Sequence, residues 1–576
     1  MHANLLGAAS SAAAAFHTPH INYLSILPIL IMMGGAIVLM GLSSLLRKIF
    51  GVGVGTWGTV VISVAALVAA IVQWHDVTTH GATVTIAGAV AYDGFSVFIQ
   101  IVVSITMLLT ALIGDGYLRR EGIEGCEFHV LAMLSASGAM LMGSANDLIV
   151  VFLGLEILSI ALYVLAAFNH KRAESGEAAL KYFVLGAFSS AIFVYGIALT
   201  YGATGTTNLP QIASYLSKNV VASNGVLLAG LALLLVGFGF KIAAVPFHMW
   251  SPDVYQGAPS PITGFMAAVA KAGAFAALLR VFVSSFGVVR TDWQPIVWGL
   301  AILSLVVGAV LALVQRDVKR MMAYSSINHA GFILLGVQAA DARGVSASLY
   351  YLFAYMFMVI GTFAVITVIG RVGDTGHQLS DYRGLARRQP VLAGAFAIFL
   401  LAQAGIPFTT GFLAKFQVVA AAVDVHSYAL AVVAMVSAAI AAFFYLRVGI
   451  TMYSPVGPVG DPIPGEVDGA VATSPAGVGS ADSAAPAGEA LGGPTGLPDV
   501  SEERPGLDRR PGEEERTSLA LMTEAPANAD VAHRVVKVPA LTWVAISLCG
   551  AFTVVFGIIP EPIIDFAHQA TLLFVG

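Results

Sequence analysis

Along most of this chain apolar residues run unbroken for about twenty positions at a time, and polar residues collect between the runs. A helix of that length spans the hydrocarbon core of a bilayer. About fourteen such segments are present, near residues 23–46, 56–74, 92–114, 126–144, 147–168, 178–202, 225–249, 260–284, 296–315, 321–340, 345–371, 390–419, 427–452 and 538–559. The runs are continuous rather than alternating, which argues for helices and against a closed barrel of strands. The expected fold is all-α: a polytopic membrane protein with about fourteen transmembrane helices.

The polar positions between the runs orient this array. Connections after odd-numbered helices carry Arg47, Lys48, Arg119, Arg120, Lys171, Arg172, Arg316, Lys319, Arg320, Arg371, Arg383, Arg387 and Arg388. Those after even-numbered helices carry only Lys218, Arg290 and Arg343. Basic loops stay in the cytoplasm, so both termini are expected outside.

Composition agrees: 58% of the 576 residues are hydrophobic and 11% are charged, too few charges to cover a soluble protein of this size. The two cysteines, Cys126 and Cys549, exclude an iron–sulfur cluster or a Cys-based zinc site encoded by this chain. Metal binding also lacks the required cluster of ligands. There is no phosphate-cradling loop, nucleophile elbow or dinucleotide fingerprint, so covalent chemistry on this chain alone is not expected. The start, "MHANLLGAASSAAAAFHTPH", lacks a basic stretch ahead of its alanine run, which argues against a cleaved signal peptide. The net charge of -5 mostly reflects residues 454–534, rich in Pro, Gly, Ala and Ser and densely charged in "EERPGLDRRPGEEER". That stretch cannot bury enough apolar surface to offset its ordering entropy, and it reads as a disordered cytoplasmic loop.

Two segments contain a proline beside a lysine: "FGFKIAAVPFHMW" in the seventh and "AQAGIPFTTGFLAKF" in the twelfth. They stand five helices apart and so cross in opposite directions. The pair's order also flips, because Lys241 precedes Pro246 whereas Lys415 follows Pro407. Matched, interrupted helices mark an inverted-repeat transporter, with function at the interruption. Membrane helices also tolerate proline without any repeat. The expected organisation is residues 1–125 for helices 1–3, 126–284 and 296–452 for two inverted five-helix repeats, the loop 454–534, and 538–576 for the last helix.

Few ionisable groups fall at helix centres: Glu156, Lys241, Lys271 and Lys415. Each costs about 2.5–3.5 kcal/mol to place at the bilayer centre, so all four should face the bundle interior. One alternative is a structural ion pair, for which Glu156 and Lys241 are suited. Another is snorkelling toward a helix end, which suits Lys181, Arg280 and Arg447. The functional reading uses the same physics. Burial disfavours the charged form of lysine or glutamate, and an opposite charge restores it, so a moving partner can turn a proton holder into a donor. His248 and His329 could extend such a relay or simply pack with a satisfied hydrogen bond.

"KIAAVPFHMWSPDVYQGAPSPITGFMAAVAKAGAFAALLR" closely resembles the core of the N subunits of proton-pumping NADH–quinone oxidoreductase, respiratory complex I. The resemblance continues through "FLGLEILSIALYVLAAF", "QRDVKRMMAYSSINHAGFILLG", "DYRGLARRQP" and "GIPFTTGFLAKF", and spans most of residues 90–450. It implies that Glu156 pairs with Lys241, that Lys271 is the central relay lysine and that Lys415 is the exit-side lysine. Lys181 and His248 also fall on family positions. It further implies a bacterial plasma-membrane subunit that moves protons from cytoplasm to exterior. NADH, FMN, iron–sulfur clusters and quinone would then belong to partner subunits. Partners would be the other membrane and peripheral subunits of complex I, especially sister antiporter-like subunits, together with membrane lipid and no nucleic acid. The same lysine chemistry would serve a multisubunit cation/proton antiporter or a membrane-bound hydrogenase. The long acidic loop departs from the family pattern.

Overall fold

The computed structural model describes residues 21–50, 53–219, 225–455 and 537–570. Beyond residue 455 the predicted loop lies outside the described residues, and so do both chain ends. The helices are α1 (Leu27–Phe50), α2 (Val54–His80), α3 (Gly94–Glu121), α4 (Glu127–Ser144), α5 (Leu148–Ala166), α6 (Ala173–Thr204), α7 (Leu209–Lys218), α8 (Gly225–Ile242), α9 (Trp250–Gly257) and α10 (Ser260–Ser285). They continue with α11 (Arg290–Leu313), α12 (Val318–Ala339), α13 (Ala342–Ile369), α14 (Leu385–Arg388), α15 (Pro390–Ala404), α16 (Thr410–Asp424), α17 (Tyr428–Tyr453), α18 (Ala540–Ile558) and α19 (Glu561–Gln569).

Local chemistry sets the helix starts. Asp93, Asp147, Asp317 and Asp341 each cap a helix N-terminus by accepting from a backbone N–H, which satisfies donors that the first turn leaves free. A small hairpin, β1 (Thr83–Thr85) and β2 (Val90–Tyr92), interrupts the otherwise helical chain. Its β-branched strands flank a turn in which Ile86, Ala87 and Gly88 all have positive φ.

Among the described residues, eleven helices are long and apolar enough to cross a membrane. The fourth, tenth and twelfth expected segments are not among them. α4, as long as α8, opens on Glu127 and His129 and is interspersed with serine and glycine, and α12 carries Lys319, Arg320, Asn328 and His329. The twelfth divides into α15 and α16. α10 and α13 are wholly buried and form the centre of the bundle, whereas α1, α6 and α18 leave most of their surface for lipid.

The basic connections gather at one end of the bundle. Asp374 and Lys319, each fully buried, pair there at 2.9 Å. Asp374 also accepts from the backbone N–H and hydroxyl of Ser260 and from Arg172. Burial alone would raise this carboxyl, but the Lys319 ammonium, with His377 beside it, holds it well below the usual carboxylate range. The hairpin and Arg343, paired with Asp424, lie at the opposite end.

Two expectations of snorkelling do not hold. Arg280 is 1% exposed and makes a bidentate pair with Asp93 instead of reaching solvent. Arg447 is buried and donates to the Leu313 carbonyl. Both find polar partners inside the bundle, so neither side chain has to climb to the interface.

Candidate functional site

Two interrupted helices organise the site. α8 runs 18 residues from the end opposite the basic loops and stops at Ile242. The chain then passes through Ala243, whose φ is +59°, and Pro246 before α9 begins at Trp250. Proline has no N–H to donate, so an interruption here leaves backbone groups to be satisfied otherwise. Ser304 accepts from the Val245 N–H at 3.0 Å, and Trp250 Nε1 donates to the Phe240 carbonyl at 2.9 Å. α15 runs 15 residues from the basic end and stops at Ala404. Gly405 (φ +91°) and Phe408 (φ +66°) carry the chain past Pro407 to Thr409, which caps α16. The two breaks therefore lie toward opposite ends of the bundle.

Lys241 sits on the last turn of α8, 3% exposed. Its ammonium donates to Ser159 Oγ at 2.8 Å and to Tyr182 OH at 3.1 Å, with the Tyr182 ring centroid 5.3 Å away. Glu156, expected as its direct partner, instead accepts from Ser190 Oγ and is half-buried. Among the described residues no direct ion pair joins Glu156 to Lys241. Ser159 lies one turn further along α5 and meets the ammonium first. Ser159, Ser190 and Lys241 nevertheless line one small cavity, so the hydroxyl that Glu156 accepts from and the amine share that space.

Lys271 is 2% exposed and follows a π-helical stretch, Met266–Ala270, inside α10. Such widened turns expose backbone groups and recur at functional positions. Its ammonium donates to the Ser326 carbonyl, and Ser326 Oγ pairs with Tyr255 OH at 3.1 Å. On the preceding residue of α12, Ser325 Oγ pairs with Tyr445 OH, which lies 3.1 Å from His329 Nε2. His329 Nδ1 pairs with Tyr351 OH at 2.6 Å. Ser325 Oγ also donates to Gln403 Oε1 at 3.4 Å. Lys415 Nζ in turn donates to the Gln403 and Ala404 carbonyls at 2.8 and 2.9 Å. These carbonyls are the ones that the end of α15 leaves without intrahelical donors, and a cation is favoured at that negative helix end.

The structure thus places Lys271 and Lys415, each on main-chain carbonyls, on either side of a buried side-chain cluster around His329, and leaves Lys241 on a separate cluster. The Tyr182 ring, itself a ligand of Lys241, stacks on Trp250 at 4.5 Å. Lys181 lies outside this core: it is 44% exposed and bridges Glu177 and Asp253. It lines a cavity of about 420 Å³ that opens at the basic end, together with Arg320, Asp253 and Asp374. His248 is buried in the first break, and its Nδ1 has no hydrogen-bond partner among the described residues. No group of three or more His, Cys, Asp or Glu that could hold a metal occurs among the described residues.

Several residues of the cluster carried no signal of their own in the sequence. Ser159, Tyr182, Ser325, Tyr445 and Gln403 are hydroxyls and an amide scattered through apolar runs. Ser159 could have been suspected, since it shares a helix face with Glu156 three positions away.

Residues 145–441 match the transmembrane family described as NADH:quinone oxidoreductase/Mrp antiporter. The N subunit of NADH-quinone oxidoreductase from Trichlorobacter lovleyi is 43% identical over 419 residues, which cover 72% of this chain and 85% of that one. The N subunit from Mycobacterium tuberculosis is 40% identical over 478 residues, covering 76% and 90%. Among solved structures, a chain of respiratory complex I from Thermus thermophilus with bound aureothin superposes with a TM-score of 0.68 at 28% identity. That match covers 94% of this chain and all of the other. A chain of the Mrp complex from Dietzia shares the fold, with a TM-score of 0.74 at 22% identity over 96% and 98% of the two. By the family match across half its length and by relatives of this identity and coverage, the chain belongs to the NADH:quinone oxidoreductase/Mrp antiporter family, among the N subunits of NADH-quinone oxidoreductase.

Proposed function

We propose that this chain is the proton-translocating N subunit of a bacterial NADH-quinone oxidoreductase. In this reading it sits in the plasma membrane with both termini outside and moves protons from cytoplasm to exterior. NADH, FMN, iron–sulfur clusters and quinone reside on partner subunits, and sister antiporter-like subunits flank it. The observation that supports it most is the buried cluster of Ser325, Tyr445, His329 and the Gln403 amide, which lies between two buried lysines, Lys271 on the Ser326 carbonyl and Lys415 on the Gln403 and Ala404 carbonyls. Hydroxyls and imidazole both donate and accept, so this cluster can carry a proton across the space between the two amines once each lysine leaves its main-chain carbonyl.

Lys241, with Glu156 behind Ser190, loads the first half. Lys271 is the centre, and Lys415 releases toward the side where the second break lies. Lys181 and His248 belong to the intake side. Residues 126–284 and 296–452 form the two inverted repeats, each built around its break at Pro246 or Pro407, with 1–125 and 538–576 as flanking helices. The positions of the two breaks toward opposite ends support that pairing.

The test is the proton-to-electron ratio of the purified complex in sealed liposomes. Lys271→Ala and Lys415→Ala are expected to lower the ratio while NADH oxidation by the solubilised complex with an artificial acceptor persists. An unchanged ratio would make the lysines structural. Lys241→Arg keeps the charge but scarcely releases a proton, so it should also lower the ratio. Proton-coupled cation flux without any quinone-reductase partner would instead favour a cation/proton antiporter subunit.

A further inference from the structure

Asp253 lies on α9, the eight-residue helix that follows the first break. One of its carboxylate oxygens accepts from Lys181 of α6 at 2.9 Å, and the other accepts from Arg320 of α12 at 2.7 Å. Arg320 also donates to Gln256, again on α9, at 3.1 Å, and Lys181 is shared with Glu177 at 2.7 Å. The cavity of about 420 Å³ beside them is faced in addition by Arg172, Glu174, Asp317, Asp374 and His377. Lys181 is 44% exposed, and Asp253 and Arg320 are each 32% exposed. Ion pairs this open to solvent add little to stability by themselves, so their effect lies in what they place.

What they place is the cover of Lys241. Asp253 follows Trp250 by three positions, on the same face of α9, and Lys181 immediately precedes Tyr182 on α6. The Trp250 and Tyr182 rings stack at 4.5 Å with 15° between their planes, and Tyr182 OH accepts from the Lys241 ammonium at 3.1 Å. The ionic bridge and the ring stack therefore join the same two helices about one turn apart, the first partly exposed and the second buried. A helix of eight residues has too few internal bonds to hold itself, so its neighbours set its position. At its far end Ser175 of α6 donates to the Gly257 carbonyl at 2.7 Å, and a Cβ on Gly257 would meet Ala178 and the Glu174 carbonyl oxygen at 2.6 Å. At the broken end the Trp250 indole is held by the Phe240 carbonyl. Between these ends Asp253 ties α9 to α6 and α12 at once.

We propose that Asp253 is a positioning residue for the first relay lysine: by fastening α9 to Lys181 and Arg320 it keeps Trp250 stacked on Tyr182, and so keeps the Tyr182 hydroxyl on Lys241. This role rests on the reading of Lys241 as a relay group. When the stack loosens, the Tyr182 ring turns and its hydroxyl leaves the ammonium, which retains Ser159. A contact open to solvent at the basic end thereby sets the hydrogen bonding of a lysine that solvent does not reach.

The test reads the pH at which the proton-to-electron ratio is half-maximal, with the assembled complex in sealed liposomes. Asp253→Ala is expected to shift that midpoint in the same direction as Tyr182→Phe, by about 0.3 unit or more, a twofold change in the ratio of protonated to neutral lysine. Asp253→Glu keeps a carboxylate for both cations and should restore most of the unaltered value. Arg320→Gln removes the α12 side alone and should give a smaller shift of the same sign, which carries the test where Asp253→Ala does not assemble. In a Tyr182→Phe background Asp253→Ala should add nothing, because the contact it acts through is already gone, whereas independent sites would add. Additive shifts, or an unmoved midpoint in the Asp253 and Arg320 variants beside a moved one in Tyr182→Phe, would overturn the positioning role and leave the relay standing. A midpoint that Tyr182→Phe itself does not move would overturn both.

Discussion

The two helix breaks hold their lysines by different means. At the first, Lys241 precedes the break and is held by side chains, Ser159 and Tyr182. At the second, Lys415 follows the break and is held by main-chain carbonyls of Gln403 and Ala404. Their packing differs likewise. Around the first break aromatic side chains fill the space, and a Cβ on Gly239 would meet only the Phe247 ring, at 2.7 Å. Around the second, backbone meets backbone: a Cβ on Gly411 would strike the Ala402 carbonyl oxygen, and one on Gly557 of α18 would meet Phe408 and Thr409. Side-chain ligands can turn and exchange donors for acceptors, whereas helix-end carbonyls accept only. The ligands of the first break can adjust, whereas those of the second are fixed with the backbone.

The largest expected effect comes from the contact that ties the two regions together. Asp374 joins Ser260, just after the first break, to Lys319, at the start of the helix that carries Ser325 and His329. Asp374→Asn leaves the Lys319 ammonium buried without its counter-charge, and removing one partner of such a pair costs about 3–5 kcal/mol. The measurement is the melting temperature and yield of the assembled complex, and both should fall. Its pH dependence has a definite sign. A carboxyl whose folded value is depressed contributes stability that is complete above its ordinary value, near 3.9, and is lost only as pH falls through the lowered one. Between pH 5 and 8 the titration of this carboxyl should therefore add no slope to the stability profile.

Next comes the rigidity of the second break. Gly411→Ala forces a methyl onto the Ala402 carbonyl, and overpacking against backbone costs about 1–3 kcal/mol. It should lower thermal stability and the pumping ratio together, because α15 and α16 must separate to admit the methyl. Loss of stability without any change in ratio would mean that the geometry around Lys415 does not matter for transport.

A smaller effect separates the two kinds of ligand. Tyr182→Phe deletes one of the two hydrogen bonds to Lys241, each worth about 1.5–3 kcal/mol to a charged group. The apparent pH at which pumping is half-maximal should move, with the fold intact. Gln403→Ala keeps both carbonyls of Lys415 and should leave that lysine's hold in place, while it cuts the link through Ser325. A pH profile that moves equally in both variants would erase the distinction between the breaks.

How far these features were legible in the sequence follows from the range of the interactions. Glu156, Lys241, Lys271 and Lys415 stand out because a charge in an apolar run is costly wherever the chain folds, and Pro246 and Pro407 mark local backbone chemistry. The partners do not stand out. Arg280 lies 187 residues from Asp93, and Lys319 lies 55 from Asp374. Near a helix end, the arginine looked no different from one that reaches for water. Opposite charge and the family resemblance both point Glu156 to Lys241, but Ser159, on the same face of α5, is nearer. Hydrophobic runs also hid the length of the fourth, tenth and twelfth segments, since buried polar residues and a break lower the apolar count without removing the helix.

Gly239→Ala is the most discriminating of the small changes. Its added methyl meets the edge of the Phe247 ring, the far end of a side chain with two rotatable bonds. That ring can turn aside for well under the cost of moving a carbonyl, so the expected loss is below about 1 kcal/mol. Lys241 lies two residues further along α8, and its contacts to Ser159 and Tyr182 approach from other helices, so the ammonium should keep both. Melting temperature and pumping ratio should then stay close to those of the unaltered complex. If Gly239→Ala instead proves as damaging as Gly411→Ala, the first break is as tightly fixed as the second. Its aromatic cover is then a rigid wedge, and any adjustment at Lys241 has to come from its partners, Ser159 on α5 and Tyr182 on α6.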